Sequence, residues 1–304
     1  MVSKEAIRDW FAMLQENICG ALEETDGKAK FVNDRWERSG GGGGISRVIT
    51  EGNIIEKGGV NFSAVWGKTP EAVLRSMKIS THDQPEFFAT GISIVLHPYN
   101  PMVPIIHMNT RYFEMSNGNW WFGGGIDLTP HYVIPGDARY FHRELRRVCD
   151  NHHSAYYPEF KKWADDYFFI RHRNETRGVG GIFFDYLKDN DGFTRDARFR
   201  FVQDVGAAFA PLYIHFMKQN SAHPFGDKEK QWQYLRRGRY VEFNLVWDRG
   251  TKFGLDTDGR TESILMSLPP EAQWKYNHQP EPDSPEAQTL ALLRKGVDWI
   301  EMSV

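Results

Sequence analysis

TGISIVLHPYNPMVPIIHMNTRYFEMSNGNWWFGGGID, residues 90–127, decides the fold. It reads as three extended runs, at 90–97, 103–114 and 120–127, broken by Pro, Asn and Gly. The breaks are far too short for a parallel crossover, so neighbouring strands must pair antiparallel. Side-chain alternation then sorts each run into two faces. Ile92, Ile94 and Leu96 take one face of the first, and Ser93, Val95 and His97 the other. In the second, Ile105, His107, Asn109, Arg111 and Phe113 share a face. In the third, Gly123-Gly124-Gly125 interrupts both side-chain rows ahead of Asp127.

Outward from this centre, further strands are expected at 45–50 and 60–66 upstream, and at 180–187, 239–247 and 261–268 downstream. Helical periodicity covers 4–26, where Ile7, Trp10, Phe11, Leu14, Ile18 and Leu22 recur on one side and Gly27 is placed to stop the helix. Other helical patterns lie at 137–151, 156–173, 195–219 and 284–301. No repeat or linker divides the chain. The expectation is an α+β fold in one domain spanning 1–304, a large, rather flat antiparallel sheet flanked by helices.

Composition narrows the function. The 304 residues carry a net charge of −3, which argues against a bulk nucleic-acid binder. No apolar run approaches the roughly 20 residues of a membrane helix. Two cysteines, Cys19 and Cys149, cannot build a disulfide framework or a cysteine zinc site. The first residues mix acids with apolar groups and lack a leader pattern, so the cytosol is the expected compartment. Aromatics at 14% could line a flat ligand site or simply fill a core.

The candidate chemistry lies on the polar face of the central strands. Ser, His, Asn and Arg in rows are residues that bind anions and move protons, whereas a solvated face favours Lys, Glu and Thr. Arg111 offers a planar fork for a carboxylate, with Asn109 as a second donor. Asp127, at the end of an apolar, glycine-rich strand, reads either as a desolvated proton acceptor with a raised pKa or as a turn cap before Thr129-Pro130. Helix 137–151 carries Arg139, His142, Arg143 and Arg146 as a cationic stripe, and Arg171 to Arg173 stand at a helix C-terminus. With Arg177, Arg236, Arg239 and Arg260, these clusters suit a small polyanionic ligand. The Gly40–Gly44 run is not a phosphate-binding loop, because Ile45-Ser46-Arg47 follows it. It reads as a flexible loop, or alternatively as a lid.

Long blocks of the chain resemble the oxygen-dependent coproporphyrinogen III oxidase family. They include Arg38-Ser-Gly-Gly-Gly-Gly-Gly-Ile-Ser-Arg-Val48, Glu56-Lys-Gly-Gly-Val-Asn-Phe-Ser63 and His107-Met-Asn-Thr-Arg-Tyr-Phe113. Trp120 to Pro130, His172 to Glu175, Gly238 to Gly250 and Arg260 to Pro270 continue the match. One departure is Tyr186, after Asp185, where family members usually carry a second Asp. The resemblance implies a homodimer that oxidatively decarboxylates the ring A and B propionates of coproporphyrinogen III to vinyls. It implies molecular oxygen as co-substrate and no organic cofactor. By carry-over, His107 is the acid–base residue and Asp127 the group that meets the pyrrole N–H groups. Substrate contacts fall to Ser93, Asn109, Thr110, Arg111, Arg177, Asp258, Gly259 and Arg260. His97, His107, His142 and His172 are implied as a divalent-metal set, with metal-free catalysis as the alternative.

Overall fold

A computed structural model describes residues 1–69, 71, 74, 85–189, 192–256 and 259–302 of the chain. Seven strands form one antiparallel sheet: β1 (Val32–Glu37), β2 (Gly42–Thr50), β3 (Ile55–Lys68), β4 (Glu86–Pro98), β5 (Ile105–Met115), β6 (Trp120–Thr129) and β9 (Gly180–Leu187). The first six follow one another as a meander, and β9 pairs with β6. A two-stranded hairpin, β7 (Phe169–Ile170) with β8 (Glu175–Thr176), stands apart. The helices are α1 (Lys4–Asp26), α2 (Pro135–Asp150), α3 (Tyr156–Tyr167), α4 (Arg195–Asn220), α5 (Asp227–Val246), α6 (Arg249–Asp256), α7 (Thr261–Leu265) and α8 (Pro285–Leu292). The α+β class and the antiparallel pairing expected from the sequence are what the chain adopts.

One sheet face carries the core. Ile92, Ile94 and Leu96 of β4, Ile106, Met108 and Tyr112 of β5, and Phe122, Ile126 and Leu128 of β6 are buried there. Against them lie Ile7, Phe11, Leu14, Ile18 and Leu22 of α1, with Val202, Val205 and Phe209 of α4. Each such side chain contributes about 1.5–3 kcal/mol on burial, so α1 is held by its apolar stripe. Its ends are defined locally: the Ser3 hydroxyl accepts from Ala6 N, and Gly27 takes φ 73°. Gln15 pins the helix to the sheet by donating to the Ile45 and Val60 carbonyls at 2.8 and 2.7 Å.

Five expectations are corrected. Residues 239–247 are not a strand but the end of α5, whose start is fixed by Gly226 N donating to the Glu229 carboxylate at 2.8 Å. The apolar positions Trp232, Leu235, Tyr240 and Phe243 follow a helical period that becomes visible only when read from 227. Residues 261–268 hold the short helix α7 and a turn, which lie across the second sheet face: Asn61 Nδ2 and Lys57 Nζ donate to the carbonyls of Ser263 and Leu268. The last helix stops at Leu292, well short of 301, and α3 stops at Tyr167, giving way to β7. Finally, the Gly40–Gly44 run is a loop only in part: Gly40 and Gly41 turn the chain between β1 and β2, while Gly42, Gly43 and Gly44 belong to strand β2. A Cβ on Gly44 would sit 2.3 Å from the Phe62 carbonyl oxygen and 2.5 Å from the Trp36 ring, so the run is glycine because two strands close on it.

Candidate functional site

The second sheet face is a floor of aligned cross-strand rows. Strand register places Asp34, Ser46, Asn61, Ser93, Asn109 and Gly125 in one row from β1 to β6. The next row runs Gly44, Ser63, Gly91, Arg111, Gly123, and the row on the other side runs Gly59, Val95, His107, Asp127, Gly181. Successive rows on one face are about 7 Å apart and adjacent strands about 4.8 Å. The glycines keep the floor low, and α5 and the 259–268 segment lie over part of it. Ser93, Asn109, Arg111 and His107 are half-buried on this face, and the stretch of floor over them is the candidate cleft.

His107 is held by its cross-strand neighbour. Its Nδ1 donates to Asp127 Oδ1 at 2.8 Å, and its ring meets the edge of Phe168 with centroids 6.0 Å apart. Committing Nδ1–H to a carboxylate leaves Nε2 with the lone pair, free to exchange a proton. Asp127 is 1% exposed, and Arg177 Nη2 donates to both its oxygens at 2.8 Å. Burial pushes this carboxyl up, but the Arg177 charge and the His107 bond outweigh it and hold the group below its ordinary range. The raised pKa expected from the sequence is therefore overturned. Both Asp127 oxygens are engaged within the protein, by Arg177 and by its cross-strand neighbour His107.

Arg177 is likewise not an open carboxylate clamp. It is 3% exposed, caged by the rings of Phe168, Tyr240 and Phe243 at 4.4, 4.7 and 4.7 Å, and gives Nη1 to Asn244 Oδ1 at 2.9 Å. Its carboxylate is the protein's own. Thr110 also leaves the site: β5 alternation points it to the core face, opposite Asn109 and Arg111.

Arg111 and Arg260 are the arginines that reach the cleft. Arg111, 38% exposed, gives Nη1 to Asn109 Oδ1 at 3.0 Å and Nη2 to Asp185 Oδ2 at 2.7 Å. Arg260 lies at the far side of the floor, bonded to Asp34 of β1 and to the Ser263 hydroxyl. Three to four strands separate the two, about 14–19 Å. Gly259 is structural, with its N–H donating to the Gly254 carbonyl at 2.8 Å to close the end of α6. Asp258 lies outside the described residues.

The four implied metal histidines do not converge. His97 donates Nε2–H to the Ser267 carbonyl at 2.8 Å, and burial with the nearby Arg237 charge drives its pKa far down. His142 is in the core, between the Tyr157 hydroxyl and the Val179 carbonyl, and burial pushes it down to about 3. His172 bonds Glu242 through Nε2 and accepts from Trp247 Nε1. Among the described residues no group of three or more His, Cys, Asp or Glu side chains is placed to hold a metal ion.

Two site residues escaped sequence reading. Asp185 reaches Arg111 from β9, some 74 positions away. Asp248 lies within the field of His107, accepts from the Tyr167 hydroxyl at 2.8 Å, and caps α6 by accepting from Thr251 N at 2.7 Å. Neither has a local signature, because each is defined by a partner far along the chain.

A family model described as coproporphyrinogen III oxidase matches residues 6–299. The chain is 50% identical over 298 residues to an oxygen-dependent coproporphyrinogen-III oxidase of Drosophila melanogaster, covering 94% of this chain and 76% of that one. It is 52% identical over 297 residues to the mitochondrial enzyme of Homo sapiens, covering 94% and 65%. A chloroplastic relative from Glycine max is 48% identical over 298 residues, covering 94% and 77%.

Proposed function

This chain belongs to the coproporphyrinogen III oxidase family, and from that premise we propose how its cleft carries out the family reaction. The activity is oxygen-dependent oxidative decarboxylation of the ring A and B propionates of coproporphyrinogen III, giving protoporphyrinogen IX in haem biosynthesis. For each propionate, R–CH2–CH2–COO⁻ + O2 + H⁺ gives R–CH=CH2 + CO2 + H2O2. The C–C bond's electron pair becomes the vinyl π bond, the pair from the C–H bond broken next to the ring reduces oxygen, and that hydrogen's proton with one further proton completes H2O2.

In our reading the tetrapyrrole lies on the glycine-lowered floor between Arg111 and Arg260, which take propionates at opposite ends. Ser93 and Asn109 are neutral polar contacts between them, and Gly259 shapes the turn that presents Arg260. The arginines neutralise carboxylates and fix the macrocycle, so that one propionate faces His107. Nε2 of His107 then exchanges the proton each turnover requires. Asp127 sets the tautomer of His107, and Arg177 keeps Asp127 ionised in its buried position. The observation that carries this assignment is the His107–Asp127–Arg177 chain at the edge of a cleft flanked by two arginines.

Molecular oxygen is the co-substrate, and no organic cofactor is proposed. Metal-free catalysis is favoured over the four-histidine alternative, because His142 and His172 have both ring nitrogens engaged and His97 is held in the fold. The cytosol is the proposed compartment; no described helix is long and apolar enough to cross a membrane, and Cys19 and Cys149 are free and buried. A homodimer is proposed from the exposed Leu255, Trp274 and Tyr276, and light scattering during size exclusion tests it. The experiment for the function is aerobic turnover of coproporphyrinogen III by chelator-treated protein, with chromatography of the tetrapyrroles. Vinyl products are expected. Turnover that appears only when one metal is restored would replace the metal-free reading.

A further inference from the structure

Between β6 and β9 the pairing slips. Phe184 and Leu187 face Gly124 and Phe122, so Asp185 and Tyr186 together stand opposite the single residue Gly123. An extra residue of this kind is a β-bulge, a device that re-aims a side chain. Tyr186 absorbs the distortion with φ 52°, a left-handed conformation uncommon for so bulky a residue. Its ring packs on Trp121 with centroids 5.2 Å apart, which gives the strained position a partner.

The bulge turns Asp185 onto the cleft floor. Oδ1 accepts from Tyr186 N at 2.9 Å, and Oδ2 accepts from Arg111 Nη2 at 2.7 Å. Gly123 leaves the space: a Cβ there would lie 2.4 Å from Asp185 Oδ1 and 2.9 Å from Arg111 Nη2. A bulge, a left-handed tyrosine and a missing side chain thus serve one contact. An ion pair with partners 38% and 20% exposed adds little to stability, so its consequence lies in where it holds the guanidinium. With Nη1 on Asn109 and Nη2 on Asp185, the plane of the fork is fixed, and its remaining N–H donors are left for a ligand.

We infer that Asp185 is a positioning residue for carboxylate recognition, holding Arg111 so that its free donors meet a propionate of the tetrapyrrole. The inference rests on reading Arg111 as a clamp in the oxidase reaction. Asp185 acts through Arg111 and touches no reacting atom, so its removal changes substrate affinity and spares the chemical step.

The test compares wild type, Asp185→Asn and Asp185→Ala in steady-state turnover of coproporphyrinogen III, together with a crystal structure of Asp185→Ala. Asp185→Ala should raise KM about tenfold with kcat within about twofold of wild type. Asp185→Asn, which keeps one acceptor oxygen, should fall between the two. The structure of Asp185→Ala should show the Arg111 guanidinium displaced. An unchanged KM would overturn the inference, as would a lowered one, which would make Asp185 a competitor for Arg111. Arg111 unmoved in the variant structure would overturn it equally. Wild type that turns over nothing refutes the oxidase reading instead, and the position of Arg111 in the variant still decides the role of Asp185.

Discussion

Replacing Asp127 by Asn separates an orienting carboxylate from one that grips substrate. The amide has one acceptor oxygen where the carboxylate had two, and three donor contacts converge on it. Arg177, buried among three rings with no exit to water, takes that oxygen. The amide N–H2 then faces His107 Nδ1 and forces the proton onto Nε2, the atom that must be free. In a serine-protease triad, fixing the wrong histidine tautomer this way lowers kcat by about 10⁴. For a histidine exchanging one proton per cycle, a loss of roughly 10²- to 10⁴-fold is expected here. KM should stay near wild type, because Asp127 is 1% exposed and meets no ligand. Stability should also fall. Arg177 keeps its charge and loses its counter-ion inside the protein, a change that costs about 3–5 kcal/mol. The assays are turnover of coproporphyrinogen III with kcat and KM resolved, and urea unfolding at neutral pH. A kcat within a few-fold of wild type would refute the orienting role, and a KM raised at unchanged kcat would return Asp127 to direct substrate contact.

Three further outcomes follow from other parts of the structure. Arg111→Ala and Arg260→Ala should each raise KM about tenfold or more through loss of a charge-assisted carboxylate contact, and an unchanged KM in either removes that residue from the clamp. Burial pushes Glu242 up, yet bonds from Arg173, His172 and Trp274 bring it from 4.5 to about 2, so its contribution is complete above pH 4.5 and is lost as pH falls toward 2. Solvent screening leaves about 1 kcal/mol of stability from that shift, and in acid titrations Glu242→Gln should lack this part of the slope; an identical acid limb would contradict it. Gly44→Val should cost about 1–3 kcal/mol in urea unfolding, because the β2 backbone cannot move off Phe62 and Trp36; wild-type stability would mean that the strands give way.

What the sequence disclosed depended on how local the determinant was. The faces of β4 and β5 were legible because alternation is enforced residue by residue, and it correctly set His107, Asn109 and Arg111 apart from Ile106 and Met108. The span of α1 was legible from its apolar stripe and Gly27. Strand β1 was not, since every residue but Trp36 is exposed and no alternation survives to be read. Residues 239–247 read as a strand when taken alone, because Tyr240, Val241, Phe243, Leu245, Val246 and Trp247 are strand-forming types. Gly238 is a packing site inside α5, where a Cβ would meet the Gln273 carbonyl oxygen at 2.5 Å. The site divides the same way. That His107 and Asp127 share a row follows from strand pairing, but the ionisation of Asp127 depends on Arg177, which arrives 50 positions later. Local burial alone gave the wrong sign for its pKa. Asp185 needed a bulge, which no periodicity announces.

The proposed function makes His107 the residue through which this cleft decarboxylates coproporphyrinogen III with oxygen. The most direct measurement is aerobic turnover by wild type and His107→Ala side by side, recording oxygen consumed, carbon dioxide released and the vinyl-bearing products. Wild type is predicted to consume one oxygen for each carbon dioxide released and to yield protoporphyrinogen IX, while folded His107→Ala retains affinity for the tetrapyrrole and yields almost none. Wild type without decarboxylated product, or His107→Ala keeping pace with it, would contradict the account.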